Sequence, residues 1–184
     1  MKRALDVLLS LAALIVLSPV LLLAAAAIAI ESGAPVFFKQ VRLGLGGREF
    51  GMYKFRSMVK DAASIGPWHT ASDDPRITRV GRFLRRTSID ELPQLLNVLK
   101  GEMSIVGPRP DVSAQRALYS DEDWAVRCSV RPGITGLAQA LLRSEATEVR
   151  RLELDLRYAR FHSLSMDLKI IGWTLARLGG KGSN

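Results

Sequence analysis

The sequence predicts an α+β fold: a broken apolar helix, a small β-hairpin and a mostly helical body, in that order. Three observations carry this expectation. Residues 7 to 30 form 24 consecutive positions without a formal charge, interrupted by Ser18-Pro19. Two runs of strand formers flank the glycine cluster 44–47, and later stretches repeat apolar residues at the helical period. At 184 residues the chain is long enough for one domain with a proper core and short for two once the apolar segment is subtracted.

Charge is unevenly placed. The net +8 comes from 26 Lys+Arg against 18 Asp+Glu, and residues 1–60 hold eight bases and three acids. The surplus around the apolar run points to anionic lipid headgroups before nucleic acid. A single cysteine, Cys128, excludes an intrachain disulfide, and with two histidines it argues against a zinc site. We read Cys128 as a buried structural thiol.

A helix over Val7 to Ile30 is long enough to cross the roughly 30 Å hydrocarbon core. A cleaved signal sequence fits poorly, because the run outlasts an ordinary signal and continues past its alanines. Basic residues stand on both sides: Lys2 and Arg3 before, and Lys39, Arg42, Arg48, Lys54, Arg56 and Lys60 after. Both flanks favour the cytoplasmic side. A break at Ser18-Pro19 reconciles them, since proline removes a backbone hydrogen bond and the Ser18 hydroxyl can satisfy the freed carbonyl. On the residues alone, a re-entrant helix and a kinked spanning helix both stay open.

Residues 31–35, ESGAP, read as a helix stop. Residues 36–41 and 48–55 then read as a β-hairpin, with glycines 44, 46 and 47 as turn residues rather than a phosphate cradle. Lys54 and Arg56 are spaced to emerge on one face. Residues 64–75, including Trp68 and His69, read as an exposed loop. Residues 76–87 place Arg79, Arg82, Arg85 and Arg86 at helical spacing, either a solvated face or an anion surface. No interleaved aromatics accompany them, so nucleic acid is not expected as a partner.

The stretch from Thr87 to Pro110, TSIDELPQLLNVLKGEMSIVGPRP, holds the chemistry-bearing residues. Asp90 and Glu91 are adjacent carboxylates, and Arg109 offers a fork for phosphate. Ser88-x-x-Glu91 also fits a capping box ahead of Leu92, Leu95, Leu96 and Leu99, with Pro93 in the first turn. Capping does not call for Asp90 or for Pro-Arg-Pro after a strand-like 103–106, so catalysis and capping both remain open. Further on, Gly133 and Gly136 suggest close backbone approach. Over 145–162, Val149, Leu152, Leu156 and Ala159 form an apolar face opposite i,i+4 pairs Arg151–Asp155 and Glu153–Arg157. Leu164, Leu168, Ile171, Leu175 and Leu178, widened by Met166, Ile170 and Trp173, form a stripe suited equally to a core or a membrane interface.

FFKQVRLG (37–44), KFRSM (54–58), residues 74–110 and RPGITGLAQ (131–139) closely resemble the bacterial sugar transferases called monotopic phosphoglycosyl transferases. The likeness runs from Ser18-Pro19 to about residue 160. Ile89 and Glu102 are conservative departures from the commoner Leu and Asp. The resemblance implies transfer of a sugar-1-phosphate from a UDP-sugar to polyprenyl phosphate with release of UMP. By motif it implies Asp90 as nucleophile through an aspartyl phosphosugar intermediate, and hence ping-pong kinetics. Glu91 would be its acid/base or metal partner, Mg²⁺ a cofactor held by Asp90 and Glu91, and Arg109 and Arg85 phosphate contacts. Lys54, Arg56 and Arg131 are unranked anion contacts. Small family forms often take N-acetylated or diacetamido UDP-sugars. The resemblance also favours a re-entrant helix over residues 1–31 and a catalytic domain over 32–180 on the cytoplasmic face of the bacterial inner membrane, with residues 181–184 a disordered tail. The competing reading is a non-catalytic membrane-surface module that binds anionic lipid or nucleic acid through its arginines.

Overall fold

The computed structural model describes residues 1–66, 74–142 and 147–179. Trp68, His69, Glu145 and the tail 181–184 lie outside these, as does the side chain of Leu178. The architecture is α+β and mostly helical, as expected.

The apolar run is two helices, α1 (Lys2–Val16) and α2 (Ser18–Ser32), bent by 62°. Pro19 has no N–H for the Ile15 carbonyl, and the Ser18 hydroxyl donates to that oxygen at 2.8 Å, as the sequence suggested. No single helix among the described residues is long and apolar enough to cross a membrane; the bent pair passes that test together.

The burial of α1 is inverted. Asp6 and Ser10 are its buried residues, whereas Leu8, Leu11, Ile15 and Val16 are exposed. Asp6 accepts from Ser104 Oγ and from the Ile105 N–H at 3.1 Å, and Arg3 donates to the Val98 and Leu99 carbonyls at 2.6 and 3.0 Å. Lys2 Nζ donates to Asp167 Oδ2 at 2.7 Å and to the Val106 carbonyl at 3.1 Å. Lys2 and Arg3 are therefore not a free basic flank. Their charges are spent on docking α1, a role that a local reading of charge near an apolar run cannot reveal. The α2 helix is apolar all round, burying Ala24 and Ile28 against Phe55 and Leu84 and exposing Leu22, Leu23 and Ile30.

Gly33, in the left-handed region at φ 75°, ends α2. Arg56 Nη2 then donates to the Ser32 and Gly33 carbonyls, and the Glu31 carboxylate accepts from the Arg79 and Val80 N–H groups. The latter pair opens α4 (Arg79–Arg86), so an acid sits at the positive end of that helix. Arg56 thus collars the exit of α2.

Strands β1 (Phe37–Leu43) and β2 (Glu49–Phe55) form the expected antiparallel hairpin, with Phe37 opposite Phe55 and Phe38 opposite Lys54. The short helix α3 (Ala62–Ile65) follows. Helix α5 (Gln94–Lys100) packs under β2, where Met52, Val98 and Met103 form a small core. Strands β3 (Ser104–Val106) and β4 (Gly133–Thr135) pair in parallel, with Ser104 opposite Gly133 and Val106 opposite Thr135. A Cβ on Gly133 or Gly136 would collide with the Gly107 backbone, so both glycines do mark close approach.

Helices α6 (Asp121–Arg127), α7 (Leu137–Leu141), α8 (Glu148–Phe161) and α9 (Leu164–Gly179) complete the chain. Val106, Leu137, Leu154, Tyr158 and Ile170 make the main core, and Cys128 is buried. The face expected of α8 is turned. Leu154, Asp155, Tyr158 and Ala159 are buried while Val149 is exposed, because a buried ion pair takes Asp155 inward. Arg151 turns to Asp111 and Glu148 instead of Asp155, and Glu153 pairs with Arg150. On α9, Asp167 and Ile170 face inward, and Leu164, Leu168, Trp173 and Leu175 stay exposed.

Candidate active site

The two carboxylates sit on a 3-10 turn, Ile89–Glu91, between α4 and α5. Ser88 is in the left-handed region at φ 57° and its side chain caps nothing; α5 begins only at Gln94, after Pro93. This overturns the capping-box reading of Ser88 and Glu91. The carboxylate that would have reached back to the helix start is committed elsewhere.

Glu91 Oε1 accepts from Lys54 Nζ at 2.8 Å and from Arg109 Nη2 at 2.7 Å. Burial raises its pKa, but the charges of Arg109 and Lys54 outweigh that and hold the carboxyl well below the usual carboxylate range. Lys54 comes from β2 and Arg109 from the segment after β3, so this one residue joins three parts of the chain. Burial in turn lowers the Lys54 ammonium, opposed by Glu91.

Asp90 is buried beside this cluster, and among the described residues none donates a hydrogen bond to its carboxylate. Desolvation and then the Glu91 charge push its pKa up to about 6, against the pull of Lys54, Arg85 and Arg109. A carboxylate of this kind is a better nucleophile than one dressed with hydrogen bonds, and it remains mostly ionised near neutral pH. Arg85 projects from α4, which is seated directly on the Ser57 backbone because Gly81 has no side chain to intervene. Its Nε donates to Ser57 Oγ at 2.9 Å. Four residues singled out in the sequence, Asp90, Glu91, Arg109 and Arg85, therefore converge. Ser18 and Pro19 stand apart at the helix break.

Arg131 is not in the cluster; its Nε donates to the Gly101 carbonyl. Arg42 is, and sequence reading counted it only as a flanking charge. It lies on the same face of the hairpin as Lys54, donating to the Pro110 carbonyl at 3.1 Å and to Gln40. Burial and then the adjacent Arg109 charge lower its pKa to about 10, and its buried Nε has no hydrogen-bond partner among the described residues. A cation destabilised by another cation marks a place that favours an anion. The signal for it was the hairpin register, two residues short of the turn glycines.

Behind Arg109 lies a second layer. Arg127 pairs with Asp111 at 2.6 Å and Asp155 at 3.0 Å, all three buried, and its Nη2 donates to the Arg109 carbonyl at 2.6 Å. Arg127 lies over the ring of Tyr119, whose hydroxyl burial makes harder to ionise. This network fixes the backbone of Pro108–Asp111 so that the Arg109 fork faces Glu91.

For a divalent cation the donor set is small. No group of three or more His, Cys, Asp or Glu suited to a metal occurs among the described residues. Asp90 and Glu91 do supply carboxylate oxygens, the donor type magnesium takes, and that ion commonly fills the rest of its shell with phosphate oxygens and water.

Residues 1–180 match the family described as bacterial sugar transferase. The chain is 46% identical over 187 residues to an undecaprenyl-phosphate glucose phosphotransferase of Komagataeibacter xylinus, covering 96% of this chain and 35% of that protein. It is 46% identical over 186 residues to the exopolysaccharide production protein PSS of Rhizobium leguminosarum bv. phaseoli, covering 95% of this chain and 93% of that one. With a UDP-N-acetylgalactosamine-undecaprenyl-phosphate N-acetylgalactosaminephosphotransferase of Aeromonas hydrophila it shares 41% identity, covering 95% of this chain and 42% of the relative.

Proposed function

The chain belongs to the bacterial sugar transferase family, and from that premise we propose that it is a phosphoglycosyl transferase moving a hexose-1-phosphate from a UDP-sugar to undecaprenyl phosphate. The observation that carries the reading is the Asp90 carboxylate, buried, without a hydrogen-bond donor among the described residues, and set among Lys54, Arg85 and Arg109. Asp90 attacks the phosphorus that bears the sugar. The bridging P–O bond breaks, and UMP leaves with its electron pair. An oxygen of the lipid phosphate then attacks the same phosphorus, breaking the bond to Asp90 and restoring the carboxylate.

One phosphoanhydride is exchanged for another, so the protein's task is to position and screen charge. Arg109 and Arg42 hold phosphate oxygens, Arg85 screens the attacking carboxylate, and Glu91 keeps Lys54 and Arg109 in place. Asp90 and Glu91 would hold a Mg²⁺, which would supply neutralisation of the diphosphate charge when bound. Because the covalent intermediate lets a soluble donor leave before a membrane-bound acceptor arrives, the kinetics are ping-pong.

The inverted burial of α1, apolar outside and polar inside, supports a lipid environment around the bent helix pair. We take residues 1–31 as a re-entrant segment and residues 32–180 as the catalytic body at the cytoplasmic face, with the exposed leucines of α9 resting on the interface.

The test is UMP release by purified chain given Mg²⁺, undecaprenyl phosphate and a panel of UDP-sugars. The panel holds glucose and N-acetylgalactosamine, named in the relatives, and diacetamido sugars. One donor should release UMP, and Asp90→Asn should abolish it. Release from no donor, or undiminished release by the variant, would overturn the proposal.

A further inference from the structure

A cavity of about 420 Å³ lies away from this cluster, lined by Phe37, Tyr53, Leu96, Leu99 and Lys100. Its walls are largely apolar, but one rim is basic. Lys100 Nζ donates to Tyr53 Oη at 2.7 Å and stands 4.5 Å from the ring centroid, with Lys39 Nζ at 5.7 Å. The stem of Lys39 reaches this place by lying across Gly51, where any Cβ would collide with it. The hydrogen bond from Lys100 draws the Tyr53 phenol below its ordinary value, a sign of the local positive field. The acid nearest in that field, Glu102, is engaged by Asn97 Nδ2 at 2.6 Å.

The position of the cavity identifies its occupant. Phe37 lies five residues beyond the end of α2, and the Leu99 carbonyl is held by Arg3 in the first turn of α1. Both ends of the bent apolar pair therefore flank the opening. An apolar slot with two ammonium groups at such a place complements a molecule with a fatty chain and an anionic head. The acceptor in the act of transfer is excluded, because Tyr53 and Lys54 are successive residues of β2 and point to opposite faces. A lipid here has the strand between it and Asp90.

We propose that this cavity binds an anionic membrane phospholipid, with Lys39 and Lys100 on the headgroup phosphate and an acyl chain against Phe37, Leu96 and Leu99. The site rests on the membrane reading above and not on the transfer reaction. Its lipid anchors the hairpin and α5 to the surface at the mouth of the bent pair.

Native mass spectrometry of the full chain in neutral detergent, offered phosphatidylglycerol or phosphatidylcholine of the same chains, tests this. Wild type should retain phosphatidylglycerol preferentially. Because each lysine near an anionic lipid surface adds to the attraction, Lys39→Ala with Lys100→Ala should weaken retention by roughly tenfold or more. Leu96→Glu, at an exposed position, should weaken it through the chain. Equal retention of both lipids, or unchanged retention by the variants, overturns the site. Displacement by millimolar inorganic phosphate overturns it too, since the ligand is then a free anion. If no donor releases UMP but phosphatidylglycerol retention depends on Lys39 and Lys100, the transfer reaction fails and the lipid site stands. Intact activity with no lipid preference is the converse.

Discussion

Arg109 donates from Nη2 to Glu91 Oε1 at 2.7 Å across 18 residues of sequence, and the same oxygen accepts from Lys54. Glu91 is thus the anion that holds two cations beside Asp90 before any substrate arrives. Glu91→Gln keeps the shape and removes the charge. We expect kcat/KM for the donor to fall by about 100-fold or more, the scale seen when one charge-stabilising group is lost. Arg109→Lys, with charge but no planar fork, should fall between wild type and Arg109→Ala. Initial rates of UMP release check both, and a Glu91→Gln variant within twofold of wild type would refute the assignment.

Arg127 should matter for stability first. Its removal as Arg127→Ala strands the buried Asp155 and leaves the buried Asp111 only its longer pair with Arg151, and we expect a cost of about 3–5 kcal/mol. Adding Asp155→Asn should recover part of the loss, because one uncompensated charge disappears. Urea unfolding of the single and double variants measures the coupling.

The docking of α1 changes what a substitution at the break will do. Pro19→Ala alone restores the missing N–H, yet Lys2, Arg3 and Asp6 still hold the start of α1 to α5, β3 and α9. Its N-terminus should therefore stay on the side of the catalytic body. Combining Pro19→Ala with Lys2→Ala, Arg3→Ala and Asp6→Ala should let a straight helix carry the N-terminus across. Protease access to an N-terminal tag in oriented vesicles distinguishes them, and crossing by the single variant would show the tethers to be weak.

Asp74 contributes a pH dependence. Hydrogen bonds from the Arg76 side chain and N–H push its pKa down from 3.8 to about 2. A carboxyl depressed on folding adds stability that is present above its unfolded value and is lost as pH falls through the folded one. Melting temperatures of wild type and Asp74→Asn should thus differ at pH 5 and converge between pH 3.8 and about 2. A difference that persists unchanged at pH 2 would rule out this linkage.

Much of this was legible along the chain. The β-hairpin declared itself through strand formers around a glycine turn, the break through Ser18-Pro19, and the close approach through Gly133 and Gly136. Local signals misled where a residue's partner lay far away. Ser88 and Glu91 spelled a capping box, but Lys54 and Arg109 compete for that carboxylate and win it. Asp155 matched a surface i,i+4 pair, but Arg127, 28 residues distant, draws it inward and turns the face of α8.

The sequence by itself determined which chemistry is carried: an acidic pair, the arginines around it and a broken apolar helix, all written in short motifs and short-range periodicity. The three-dimensional arrangement set how those charges are used, leaving Asp90 without a hydrogen-bond donor among the described residues, assigning Glu91 to two cations and bringing in Arg42. The reason is physical. Periodicity reports which face of one element is apolar, whereas the cost of burying a charge is met by whichever opposite charge the fold brings within hydrogen-bond distance.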